Sequence, residues 1–119
     1  MSEEVNAVVI HYPKPERIQE FRDLVLRVKN TFKHAHGKLH HHAFEVKTGS
    51  EVEIVVIERF KDKESLDRIL ESAEFKEISE LLPDLVRQAP KLLQGAPLPG
   101  FEGSKKGMEA AFLVDSQWV

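Results

Sequence analysis

Apolar residues along this chain recur with two periods, and the switches between the periods mark the elements. The run VNAVVIHY, Val5 to Tyr12, is rich in β-branched residues and stops at Pro13-Lys14-Pro15, where two prolines withdraw ladder donors. It predicts a first strand. Pro15 suits the first turn of a helix, and Ile18, Phe21, Val25, Val28 and Phe32 then return every three or four residues, an apolar stripe along one helical face. That helix is expected to end near His36-Gly37, with Gly37 as a left-handed cap.

The period then drops to two. LHHHAFEVK and EVEIVVIERF flank Thr48-Gly49-Ser50 and predict two antiparallel strands joined by a glycine turn. A three-residue turn sets Phe44 against Ile54 and Val46 against Val52, with apolar residues on one face, although it also opposes Glu45 to Glu53. In that register His40 and His42 share the face of Val56, Glu58 and Phe60, while His41 joins Val55, Ile57 and Arg59 on the other. A shift by one residue exchanges the two sets. The third strand is apolar on both faces near its end, as expected of a strand covered on both sides.

Beyond it, Asp62 or Ser65 is placed to cap a short helix carrying Leu66, Ile69 and Leu70. A longer helical pattern follows through Phe75, Ile78, Leu82, Leu85, Ala89 and Leu92, with a kink or break expected at Pro83 and at Pro90. Residues 95–107 read as a loop, MEAAFLVD as the last strand, and 116–119 as a tail with the single tryptophan, Trp118. The order strand, helix, strand, strand, helices, strand predicts one α+β domain over residues 1–119, a ferredoxin-like βαββαβ unit with an antiparallel sheet. Its helices suffice for one face only, so a second copy is expected against the other, through Ala43, Val55, Ile57 and Arg59.

Composition narrows the partners. With 119 residues, 17 Lys plus Arg against 20 Asp plus Glu, and a formal charge of -3, the chain has no basic track for nucleic acid and no polybasic tether for a membrane. A small neutral or apolar molecule fits better. Cysteine is absent, which removes disulfides and thiolate chemistry. The acidic N-terminus and the lack of any apolar run of roughly 18 residues make the cytoplasm the expected location.

The candidate chemistry sits in HAHGKLHHH, which holds five of the six histidines. His40, His42 and Glu58 form a candidate two-histidine-one-carboxylate metal set, but the expected reading is an acid/base group without metal, an imidazole held by the Glu58 carboxylate. A structural role for each histidine, hydrogen-bonded in a half-buried strand, stays open. His34 and His36 stand where a positive charge favours a helix C-terminus. Asn6 and Tyr12 share one face of the first strand; if it meets the helices, Asn6 holds a substrate carbonyl or an O2-derived oxygen and Tyr12 joins the catalytic candidates through a phenolic oxygen, the alternative being an edge residue and a strand-end aromatic. Phe21, Val56 and Phe60 are the expected apolar wall of the site.

The stretch IERFKDKESLDRILESAEFKEI, with Phe60, Ser72 and Phe75 at its key positions, resembles the antibiotic biosynthesis monooxygenase family, and the turn at HGKL is similar to that family's entry to its second strand, His36 replacing a proline. The resemblance covers roughly residues 5–86. It implies a dimeric α+β barrel with a pocket between sheet and helices in each subunit. It further implies oxidation of phenolic, aromatic or lipid-like small molecules by O2 with no cofactor and no metal. Haem-degrading relatives use an asparagine, a tryptophan and a histidine; here Asn6 matches the first, Phe60 replaces the second and Ser79 stands near the third, so the resemblance does not extend to haem. A non-oxidative isomerase or cyclase, and a ligand-binding barrel without catalysis, remain the alternatives.

Overall fold

A computed structural model of the chain describes residues 3–102. Strand β1 (Val5–Pro13) leads through a 3-10 turn at Pro15–Arg17 into helix α1 (Ile18–Thr31); β2 (Lys38–Thr48) and β3 (Glu51–Phe60) form a hairpin; α2 (Lys63–Glu71), α3 (Ala73–Leu85) and β4 (Val86–Gly95) complete the unit. The sheet is antiparallel in the order β2-β3-β1-β4, the ferredoxin-like arrangement expected from the sequence. Among the described residues no helix is long and apolar enough to cross a membrane.

Local chemistry sets the boundaries. Gly37, at φ 83°, turns the chain from α1 into β2, and its carbonyl accepts a bond from the Lys61 amide at 2.8 Å. A Cβ there would meet the Ser65 Oγ at 1.9 Å, so both conformation and space call for glycine. The Asp62 carboxylate caps α2 by accepting from the Ser65 amide at 2.8 Å, and the Ser72 hydroxyl caps α3 by accepting from the Phe75 amide at 3.2 Å.

Helices cover one face, and the core between them and the sheet gathers Phe21, Leu24, Phe32, Ile54, Val56, Phe60, Leu66, Ile69 and Ile78. The other face is open in the single chain. Across it run two apolar rows: Leu93, Val8 and Ile57 ending at His42, and Ile10 and Val55 between Lys91 and Phe44. Phe44 is 41% exposed and Leu93 51%.

Two expectations are corrected here. The hairpin closes on Thr48 opposite Glu51, so its turn has two residues, with Gly49 at φ 64° in the first central position. Phe44 therefore opposes Val55, not Ile54, and Val46 opposes Glu53, not Val52. The shift separates the like charges of Glu45 and Glu53 and turns Glu45 toward α1, where its carboxylate accepts two bonds from the Arg22 guanidinium.

The other correction concerns the fourth strand. Residues 86–95, expected to continue the helix, form β4 along the free edge of β1. The helix stops two residues beyond Pro83, and β1 needs partners for its outward backbone groups. Pro90 is tolerated because β4 is an edge strand, and the register slips opposite His11, between Ile10 and Tyr12. MEAAFLVD and Trp118 lie outside the described residues.

Candidate functional site

A cavity of about 300 Å³ lies between the helix-covered face of the sheet and the three helices. Phe21, Leu24, Val25 and Val28 of α1, Leu66, Ile69 and Leu70 of α2, and Phe75, Ile78 and Leu82 of α3 make its walls; Ala7, Val9, His11, Val56, Leu92 and Pro90 belong to its floor. Such a lining suits a largely apolar small molecule held by few polar contacts.

Most polar groups reach the cavity from one row across the sheet, with His11 on β1 and Ser79 on α3 outside it. His41 opposes Glu58, Glu58 opposes Ala7, and Ala7 opposes Gln94, so one row across the sheet sets His41, Glu58 and Gln94 in the floor. The cluster has a further member. At Leu39 the ladder slips by one residue, from Lys38 opposite Phe60 to His40 opposite Arg59. Three residues apart on a regular strand, Lys38 and His41 would face opposite ways; the slip brings both to Glu58. The Lys38 ammonium donates to His41 Nδ1 at 3.0 Å and lies 3.7 Å from Glu58 Oε1, while His41 Nε2 lies 3.5 Å from the same oxygen.

Burial controls the charges. It raises the Glu58 carboxyl above the usual carboxylate range, against the opposing pull of Lys38, and it lowers Lys38, against the pull of Glu58. His41 is lowered to about 4, first by burial and then by the Lys38 charge. At neutral pH His41 is an uncharged ring whose Nδ1 accepts from Lys38, which leaves its hydrogen on Nε2, toward Glu58. The group with a pKa moved toward neutrality in this row is the carboxylate.

The register moves the remaining candidates. Glu58, Val56 and Phe21 line the cavity as expected. Phe60 is fully buried in the core beside it. His40 and His42, expected in the cavity, stand on the open face, where His40, His42 and Phe44 form a ring ladder with centroids 6.1 and 5.9 Å apart. His41, expected on that face, takes their place. The metal set of His40, His42 and Glu58 is divided by the sheet, and no group of three potential ligands occurs among the described residues. Asn6 and Tyr12 also face away from the helices, Asn6 between Arg59 and Gly95, Tyr12 under the Arg87 guanidinium at 5.5 Å. Ala43 crosses in the other direction, to the helix side opposite Val56.

The sequence reading missed Lys38, His11 and Gln94. His11 had a signal: it shares the parity of Val5, Ala7 and Val9, whereas Asn6 and Tyr12 share that of Val8 and Ile10. Lys38 had none, because only the bulge turns it inward.

His11 gives the site a measurable acid response. Burial lowers its pKa to about 4, against about 6.5 for an unfolded histidine. Between those values the unfolded chain binds a proton that the folded chain refuses, so this residue's contribution is intact above pH ~6.5 and lost as pH falls toward ~4. Chemical denaturation at pH 7 and pH 4.5 is expected to show the difference between parent and His11→Phe changing with pH, the parent losing up to roughly 3 kcal/mol more. Parallel stability curves would mean that the ring is not held neutral.

The comparisons agree with this fold. The family model described as antibiotic biosynthesis monooxygenase matches residues 5–81. No curated protein matches the sequence. Among solved structures, Rv0793 from Mycobacterium tuberculosis superposes with a TM-score of 0.75 at 18% identity, over 83% of this chain and 99% of its own. A conserved protein from Methanosarcina mazei Go1 gives 0.74 at 24% identity, over 82% and 95%. A structure described as an antibiotic biosynthesis monooxygenase gives 0.71 at 20%, over 80% and 99%.

Proposed function

Because the chain belongs to the antibiotic biosynthesis monooxygenase family, we propose that it is a monooxygenase for phenolic or enolic small molecules, aromatic or lipid-like in body, with Glu58 as the base that prepares them for O2. What carries this reading is the buried Glu58 carboxylate in the floor of an apolar cavity, raised by burial and flanked by His41 and Lys38. A carboxylate so placed takes a hydroxyl proton near neutral pH more readily than an ordinary one. The Lys38 charge and the His41 Nε2–H then stabilise the negative charge that passes to the substrate oxygen, in a medium that excludes water and so strengthens both contacts.

The anion is the species that O2 attacks. For a phenol the balance is complete without another reductant: a ring C–H para to the hydroxyl becomes C=O, the hydroxyl becomes the second C=O, and O2 takes four electrons from the substrate, one oxygen entering the product quinone and the other leaving as water. The same Glu58 and His41 also permit proton transfer without O2, the chemistry of an isomerase or cyclase. A second copy on the open sheet face completes the proposed barrel.

Oxygen uptake by chelator-treated protein, with the metal content measured on the same sample, is the test. One O2 consumed per phenol, with quinone absorbance appearing, is the expected result. Solvent hydrogen exchange into the substrate with no oxygen uptake would replace the monooxygenase by an isomerase. Stoichiometric metal whose removal abolishes uptake would overturn the cofactor-free form of the reading.

A further inference from the structure

The row of His41, Glu58 and Gln94 accounts for one end of the cavity. His11 lies four residues along β1 from Ala7, about 13 Å away at the rise of a strand, and it also borders the cavity. Its Nδ1 is sealed from solvent and, among the described residues, has no hydrogen-bond partner. Phe21 stands against the ring, centroid to centroid at 5.1 Å, and Ile54 opposes it on β3, so its nearest surroundings are apolar. A buried imidazole of this kind is costly unless something answers it.

The ring's state follows from the same facts. It is uncharged at neutral pH, its pKa lowered to about 4 by burial, and an uncharged imidazole carries a single N–H. A hydrogen on the sealed Nδ1 would strand a donor, which folded proteins avoid more strictly than an idle lone pair. The hydrogen therefore belongs on Nε2, the nitrogen left to meet a ligand.

We propose that His11 is the second polar contact of this cavity, donating its Nε2–H to a neutral carbonyl or ether oxygen, and that the ligand is an elongated apolar molecule with an acidic hydroxyl at one end and that oxygen toward the other. This rests on the reading of Glu58 as the site for the hydroxyl. The strand distance sets the spacing of the two ligand oxygens on the order of 10 Å. An anion at the His11 end is disfavoured, because a neutral donor in apolar surroundings does not repay the desolvation of a charge. A purely hydrocarbon end leaves the imidazole unanswered.

Two rigid phenols separate the outcomes: 4-hydroxychalcone, with a carbonyl distant from its hydroxyl, and 4-hydroxystilbene, which lacks it. Calorimetric titration of the full chain is expected to show the chalcone binding about tenfold more tightly than the stilbene, the net worth of one hydrogen bond. In His11→Phe the preference of the chalcone over the stilbene should vanish. His11→Leu is a second donor-free variant should the first fail to fold, and His11→Gln, which keeps an N–H donor, should retain part of the preference. Equal binding of the two phenols by the parent, or a preference surviving in both donor-free variants, overturns the role of His11 and leaves that of Glu58 standing. Failure of both phenols to bind, with no phenolate absorbance, overturns the underlying reading and the inference with it.

Discussion

Glu58→Gln is expected to lower turnover by about two to four powers of ten, the usual worth of a general base. The amide keeps the carboxylate's shape and loses its capacity to take a proton. Lys38 is left without its counter-charge in a buried setting, where it deprotonates more readily, so a melting curve must accompany the rate. His41→Asn removes the Nε2–H at Glu58 and the acceptor for Lys38, and a smaller loss of about one to two powers of ten is expected. His40→Asn and His42→Asn, on the far side of the sheet, should leave turnover per folded protein within threefold of the parent. The set is read by initial oxygen-uptake rates at saturating phenol. A parent-like Glu58→Gln would remove the base from this carboxylate, and a collapse confined to His40 or His42 would move the chemistry to the open face.

The other large effect concerns assembly. Ile57 sits in the middle of the open face, between Val8 on β1 and His42 on β2. A glutamate there would be carried into the proposed interface of two stacked sheets, a desolvation cost of several kcal/mol. Sedimentation is expected to show a dimer for the parent and a monomer or unfolded chain for Ile57→Glu. Glu53→Gln, at a partly exposed position opposite Val46 on β2, should sediment like the parent. A stable dimer carrying Ile57→Glu would place the partner elsewhere. Arg59 is not the residue to test, because its guanidinium is held by the Glu4 carboxylate at 2.6 Å and its loss would disturb the chain itself.

The element order, the α1 stripe and the Asp62 cap were legible in the sequence, because each is fixed by residues within one or two turns of one another, although α1 ends at Thr31, short of the Gly37 cap expected for it. Glu58, Val56 and Phe21 were legible as cavity-lining candidates for a related reason, since α1 has one apolar stripe for the core and Val52, Ile54 and Val56 set the parity that β3 turns toward it. What the tertiary structure decided was phase. One residue fewer in the 48–51 turn exchanges every face of β2, and the sequence could not choose, because HHH reads the same in either phase. What distinguishes the two phases lies between elements: in the observed one Arg22 on α1 reaches Glu45, and Glu45 stands away from Glu53. The same holds for residues 86–95, whose helical spacing is overruled by a β1 edge distant in sequence that needs a partner. Lys38 joins the site only through a bulge, and His11 lies unanswered only once Phe21 and Ile54 close around it. The chain's local chemistry determined which elements form; contacts between elements determined which side chains share the cavity, because a period of two leaves both faces of a strand available until something packs against one of them.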